Sequence, residues 1–478
     1  MREALRRFAW LISVIALIAI LINFNIKVIN NVNSIYGDHG YVSDECWYVE
    51  AARNILHKVF GLSPIMWGSK VNVTLVLTGE TDVEEFKDIV MRYGAEIIKD
   101  DYTYFKAIYA VVPIETLNYV IHLPNVSRVI YGYMYLDKSG IIDYLNMEHP
   151  PLGKYFIILS MLTCGDVPLC WRIPSIISGN IILVATFLLM VMALRGRGWV
   201  AYLFATLTAL SLSFDPMLIN SSSLAMLDVF VSLFTVLALL AVMLGKGKLG
   251  GLLTGLAGSI KFSGFFNVIP LYLSLRRLGR NPANSILHSI YVPLMVFFIL
   301  SAPLIAYLGP WQWFDQGFAG AISWHLKQKH EIGKGPPVAN PWDWLVNRNP
   351  FVYHLNPNLF AEGKFLILFN YLPTAVLTLI ALPSILRRPK LRTVIEWCWI
   401  PYLMYVLQYL LGGKTQYSFY TIHICPLLHS SAFIALSLIT NPRTFEEVLN
   451  EWYKLLKLVW DWLGGDVEVK LVITPRSA

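Results

Sequence analysis

Residues 8–29 read FAWLISVIALIAILINFNIKVI, an apolar run broken by a single charge, Lys27. A helix needs about 20 such residues to cross a bilayer, so this run is long enough to span. It is long for the core of a signal peptide, and no small-residue cleavage site follows, so it reads as a first span that is retained. Working outward, the whole chain has the same texture. Of 478 residues 56% are hydrophobic and 14% charged, against about 25% charged in an ordinary soluble protein. The net charge of +7 sits in short clusters between apolar runs, which marks membrane topology and gives no face for a nucleic acid.

Basic clusters mark the cytoplasmic ends of spans. Arg2, Arg6 and Arg7 place the N-terminus inside, so the stretch from Ile35 to about Asp166 is expected outside. Arg195 and Arg197 close the second span. Runs at about Val200–Leu212 and Ala225–Leu244 go out and return to Lys246 and Lys248, with Phe214–Ser223 as their outer turn. Between Lys248 and Arg276 the length suits one crossing, yet both ends are basic. Two half-helices meeting near Lys261–Gly264 resolve the conflict. Further spans are expected at Ile286–Leu308, between Gly363 and Arg387, at Ile395–Leu411 and at Ser418–Ile439. The total is about ten, or eleven with other threading near Asp215. The fold class is therefore a polytopic α-helical membrane protein with a cytoplasmic C-terminus. Its tail, Phe445–Leu463, suits a helix lying on the membrane surface.

From Val71 to Asp137 the pattern becomes that of a water-soluble unit. Val71–Leu77 is strand-like, Val83 to Tyr93 repeats at helical spacing with Gly94 as a C-cap, and Ala95–Lys99 and Phe105–Val112 are strands. A helix at Ile114–His122 and a strand at Val129–Leu136 complete a βαββαβ order, the ferredoxin-like unit. Its acids outnumber its bases, and Asn72 and Asn125 head glycosylation sequons. Acceptor recognition or a lid is its expected role, and a passive insertion is the alternative. The expected divisions are 1–60, 61–140, 141–308, 309–362, 363–440 and 441–478.

Ionisable groups at the edge of a membrane bundle are costly, so each is a functional candidate. Asp44 and Glu45 open an apolar helix, where an acid also suits the helix dipole. Glu148-His-Pro-Pro-Leu-Gly-Lys154 is a proline-locked turn holding Glu148, His149 and Lys154 together. Arg172-Ile-Pro-Ser175, Asp228, Lys261-Phe-Ser-Gly264, His325, His330 and Pro341-Trp342-Asp-Trp344 follow. Cys164 and Cys170 flank a short outer loop and are expected to form a disulfide.

These motifs, in this order, resemble the protein O-mannosyltransferase family of GT-C glycosyltransferases over nearly the whole membrane part, the Pro-Pro-Leu-Gly-Lys turn being the most specific. Three departures stand out: Glu148 where an Asp is usual, no arginine upstream of Leu227-Asp228, and Lys414–Tyr420 in place of an Arg-x-x-Phe pattern. The insert is not a usual part of the family. The resemblance implies inverting transfer of mannose from a polyprenyl (dolichyl) phosphate to Ser or Thr hydroxyls of an acceptor protein, within the membrane and on its outer side, with a dimer allowed. Asp44 would be the base and Glu45 the acceptor clamp, supported by Glu148. Arg172, Lys154, Lys261 and Lys414 would neutralise the leaving phosphate, with no cofactor or metal. Other readings stay open: Asp44 as a helix cap only, Asp228 as a structural partner of Lys261 or Arg172, Trp342 and Trp344 as interface anchors, and a metal held by His149, His325 and His330. A lipid-glycosylating GT-C enzyme, of the aminoarabinose-transferase kind, is the alternative function, and a transporter the remote one.

Overall fold

A computed structural model of the chain describes residues 2–35, 40–327 and 337–465. Helix α1 (Arg2–Ser34) carries Ile20, Phe24, Val28 and Val32 on one buried stripe, while Ile15, Ile18, Ile22, Ile26 and Ile29 stay exposed. Four-residue spacing puts the first set on one face, so the second remains for lipid. Asn25 bonds Asn180, and Asn31 bonds Asn220, across to neighbouring helices. Helix α2 (Glu45–Lys58) is buried through most of its length.

The insert has the expected order: β1 (Lys70–Leu77), α3 (Val83–Arg92), β2 (Glu96–Lys99), β3 (Ala107–Pro113), α4 (Ile114–Ile121) and β4 (Val126–Tyr131). Its antiparallel sheet runs β2-β3-β1-β4, the ferredoxin-like arrangement. Val73, Leu75, Phe86, Val90, Ile108 and Val120 form a core separate from that of the bundle. Asp82 caps α3 by accepting from Glu84 N and Glu85 N, which satisfies donors that the first helical turn leaves over. The last strand stops at Tyr131 and does not run on to Leu136. Gly132, at φ +117°, turns the chain away, and a side chain there would collide with Asp166 and Arg53.

After the turn at residues 146–151 comes α5 (Leu152–Cys164), a short apolar helix tied to α6 (Pro168–Ala193) by the Cys164–Cys170 disulfide, whose Cα atoms are 5.7 Å apart. Then follow α7 (Trp199–Ser213), α8 (Pro216–Ser222), α9 (Asp228–Met243) and α10 (Gly247–Gly258). The expected break comes next, a 3₁₀ turn at Phe262–Asn267 before α11 (Val268–Arg277). Helices α12 (Pro282–Ile286) and α13 (Val292–Leu308) form one rod through a π-turn.

The stretch 309–362, read from sequence as a polar loop, is more ordered than that. It holds α14 (Pro310–Phe314), α15 (Gly320–Lys327), α16 (Pro341–Trp344) and a hairpin of β5 (Val352–Leu355) with β6 (Asn358–Phe360). Trp311, Phe314 and Phe318 supply an apolar stripe that hydropathy averaging hides. The chain ends with α17 (Leu372–Leu386), α18 (Pro389–Leu410), a 3₁₀ turn at Ser418–His423, α19 (Cys425–Ile439) and α20 (Pro442–Leu463). Helix α20 packs Val448 and Trp452 inward, while Leu449, Tyr453, Leu456 and Trp460 stay exposed. Among the described residues three helices are long and apolar enough to cross a membrane: Arg7–Ser34, Pro168–Ala193 and Pro282–Leu308. A fourth counts if the pair α7 and α8, bent by 62°, is one span. The apolar helices α5, α9, α17 and α19 are shorter.

One buried guanidinium joins the insert to the bundle. Arg53 on α2 bonds both oxygens of Asp166 at 2.5 and 2.7 Å and the carbonyl of Tyr133 at 2.7 Å, and it also meets Tyr41 and Glu50. Glu50 in turn accepts from Tyr135 N at 2.9 Å. Removing one member of a buried charge set strands the rest, at a cost of about 3–5 kcal/mol. Arg53→Ala is therefore expected to loosen residues 132–136, and limited proteolysis should cut the insert several-fold faster while the bundle remains protected.

Candidate active site

The first turn of α2 divides two adjacent acids. Glu45 is fully buried, with Oε1 and Oε2 bonded to Arg172 Nε and Nη2 at 2.8 and 2.7 Å; it also accepts from Val42 N at 2.9 Å and Ala225 N at 2.7 Å. Such a carboxylate has no capacity left for an acceptor. The clamp role expected for Glu45 is corrected to a structural one, and Arg172 is bound up with it, its Nη2 also donating to the Gly40 carbonyl at 2.6 Å. Asp44 stands at the N-cap position, but its side chain makes no capping bond; the backbone carbonyl receives Trp47 N and Tyr48 N. The cap-only reading therefore fails, and the carboxylate faces a cavity. Burial pushes its pKa up to about 6, with Lys261 pulling it down and Asp228 pushing it up.

The proline-locked turn is built around Lys154. Its ammonium is buried beneath the turn and donates to the carbonyls of Leu145, Asn146 and His149. Three carbonyls satisfy its three donors, so Lys154 is corrected from phosphate ligand to the pin of the turn. What the turn presents is Glu148, bonded to Tyr144 and to Asn146 Nδ2, and His149, whose ring lies 5.8 Å from that of Tyr48.

Lys261 enters from the break after α10. Gly264 allows that turn to close, since a Cβ there would lie 2.3 Å from the backbone of Ala257. Lys261 Nζ donates to both Asp228 oxygens at 2.9 and 2.7 Å and sits 5.2 and 5.0 Å from the rings of Phe419 and Tyr420. Asp228 Oδ1 lies 2.9 Å from His423 Nε2, and His423 Nδ1 meets the Tyr405 hydroxyl. Asp228 is thus a partner of Lys261, as one sequence reading has it. The residue that sequence reasoning missed is His423; its only signal was a polar cluster, Ser418 to His423, at the head of an apolar run.

Two cavities meet here. One, about 430 Å³, is lined by Asp44, Trp47, Tyr144, Glu148, Lys138 and Tyr417, among others. The other, about 570 Å³, is mainly apolar and is walled by Phe262, Phe266, Phe318, Ile322, Leu407 and Leu411. Glu148, His149, Lys261 and Tyr420 belong to both. Ile322, Leu407 and Leu411 are also exposed on the outer surface, so the apolar chamber opens onto an apolar flank. Lys414 is exposed next to Gly413 of that chamber. Trp342 packs its ring on Tyr409, and Trp344 is core, donating to the Ala339 carbonyl. His330 and the side chain of His325 lie outside the described residues, so the metal set with His149 is not assembled among them. The metal-competent group found among the described residues is Asp215, Cys425 and His429, whose carboxylate already accepts from Met217 N, Lys364 N and Tyr371.

No protein-family profile matches the chain. It is 25% identical over 288 residues to the polyprenol-phosphate-mannose–protein mannosyltransferase of Corynebacterium glutamicum, covering 45% of this chain and 54% of that protein. The chain thus spans about half the length of the curated relative it matches. Among solved structures it resembles ArnT from Cupriavidus metallidurans bound to undecaprenyl phosphate, with TM-score 0.50 and 14% identity over 92% of this chain and 63% of that one. The archaeal oligosaccharyltransferase AglB from Archaeoglobus fulgidus is also similar, with TM-score 0.45 and 12% identity over 92% of this chain and 51% of that one. The fold is shared with ArnT, and the mannosyltransferase resemblance read from the motifs is borne out by the relative.

The Glu45–Arg172 pair yields a stability prediction. Glu45→Ala leaves a buried guanidinium uncompensated and is expected to cost about 3–5 kcal/mol. Adding Arg172→Ala should recover part of that loss, so thermal melts of the two singles and the double will be non-additive.

Proposed function

We propose that the chain is an inverting glycosyltransferase that moves mannose from a polyprenyl phosphate to Ser or Thr hydroxyls of a protein on the outer side of the membrane. The observation that carries this is the junction of the two cavities. A lipid-linked donor needs an apolar channel reachable from the bilayer, and a hydroxyl acceptor needs a polar chamber holding a base. The two here share a wall bearing a cation.

In this reading the isoprenoid lies along Phe262, Phe318 and Leu411, and the phosphate comes to rest near Lys261. The acceptor hydroxyl enters on the Asp44 side. Its oxygen forms a bond to the anomeric carbon as the bond from that carbon to the phosphate oxygen breaks, and attack opposite the leaving group inverts the centre. Asp44 takes the hydroxyl proton as the bond forms. Negative charge grows on the lipid phosphate, and a fixed ammonium stabilises it without reorganisation. Lys261 is held for this by Asp228, which is in turn held by His423. Lys414 is placed to add charge at the chamber rim. Glu148, fixed by Tyr144 and Asn146, and His149 border the transferred sugar. The mechanism calls for no metal, since the donor is a single phosphodiester between lipid and sugar and carries no diphosphate.

Membranes or nanodiscs bearing the protein, given polyprenyl-phosphate-mannose and a Ser/Thr peptide, test this. Asp44→Asn is expected to lower turnover by about 10²–10⁴-fold, the usual worth of a positioned general base. Labelling of lipid with none on peptide would favour the lipid-glycosylating alternative. Because Asp44 must be ionised to accept a proton, kcat/KM should rise with pH through about 6. Lys261→Met removes the charge that lowers the Asp44 pKa, so the residual activity should have its acid limb at higher pH. Turnover should persist in excess chelator.

A further inference from the structure

The polar chamber has a wall that the membrane bundle does not supply. Lys138 lines it and comes from the segment leaving the insert. Its ammonium lies 4.9 Å from the centroid of the Trp47 ring, one helical turn after Asp44. No carboxylate pairs with Lys138 among the described residues. Lys261, the other lysine of this lining, is by contrast ion-paired with Asp228, to which it gives two bonds. Lys138 is thus a cation at the chamber mouth with unused donors.

The backbone that carries it is fixed at several points. Gly132 N bonds Asn72 O, Met134 N bonds Thr74 Oγ1, and the Met134 carbonyl receives Tyr102. The Asp137 carboxylate accepts from Thr103 N and Tyr104 N at 2.7 and 2.9 Å. With its neighbours pinned, the lysine stem swings from a rigid base, and the Trp47 face confines it further.

We infer that Lys138 selects the acceptor: it recognises an acidic group flanking the target hydroxyl, so that acidic Ser/Thr peptides are the favoured substrate class and the insert is a specificity element. The chemistry agrees. The chamber carries the acids Asp44 and Glu148, which would repel an acidic acceptor that had no compensating cation at the mouth. A lysine there attracts the carboxylate and leaves Asp44 free for the hydroxyl. An exposed pair of this kind gives a modest, salt-screened preference, several-fold in kcat/KM.

The inference rests on the protein-acceptor reading, and one experiment separates the two. Full-length protein in nanodiscs is given polyprenyl-phosphate-mannose and three peptides that differ only in the residues beside one threonine, acidic, neutral or basic. The wild type should prefer acidic over neutral over basic by several-fold in kcat/KM, mainly through KM, and the spread should shrink as salt rises. Lys138→Glu should invert the order and Lys138→Arg should retain it, with thermal melts reporting that both are folded. Peptides labelled in an order that Lys138→Glu leaves unchanged, or with no order in the wild type, overturn the specificity role alone. If wild type labels no peptide, the protein-acceptor reading falls and takes this inference with it.

Discussion

The Glu45–Arg172 ion pair is the constraint on which this end of the bundle depends. Two charges taken out of water need close geometry and full hydrogen bonding to be tolerated. Here the bidentate fork meets both, with Val42 N and Ala225 N filling the remaining acceptor sites. The pair ties the start of α2 to α6 and to the segment before α9. Successive residues on a helix point about 100° apart, so fixing Glu45 inward also fixes where Asp44 looks. The acid that is spent on structure therefore aims the acid that is free.

The same rule sorts the other charges. Arg53 is consumed by Asp166, Tyr133 and Glu50, and Lys154 by three carbonyls. A buried cation whose donors are all taken cannot meet a phosphate. Lys261 differs in kind. It is ion-paired, yet it borders both chambers, and the rings of Phe419 and Tyr420 flank it. Asp228 gives this ammonium its partner in an apolar setting, and His423 behind that acid holds the geometry.

Much of this was legible in the sequence, and the limits have physical causes. The insert could be read because strand and helix periods differ and its turns carry Gly and Asp. The broken span at Lys261 could be read because charge at both ends conflicted with length. Partner choice could not be read. Glu45 and Arg172 are 127 residues apart, and nothing local tells an acid that binds substrate from one that binds a distant guanidinium. Lys154 was misread for a related reason, since a lysine after a Pro-Pro-Leu-Gly turn is equally suited to pin the turn from beneath. His423 escaped notice because it lies in a run whose average is apolar, and its role exists only where three separated segments meet.

The insert also acquires a physical logic from where it is fastened. A sheet with its own core could sit anywhere on a long connection at little entropic cost, yet here the chain leaves it through Gly132 and is bonded to α2 at Tyr133 and Tyr135. The helix that aims Asp44 is therefore the helix that anchors the insert. Arg128 on the last strand adds a direct bond to Asn54 of the same helix, and Asp137, beside Lys138, is bonded to Thr103 N and Tyr104 N of the insert. A freely tethered domain would have no such coupling, and a lid would need a hinge where this structure has buried hydrogen bonds. The bonds that fasten it are those of a fixed wall, and Lys138, on the segment that leaves it, lines the chamber.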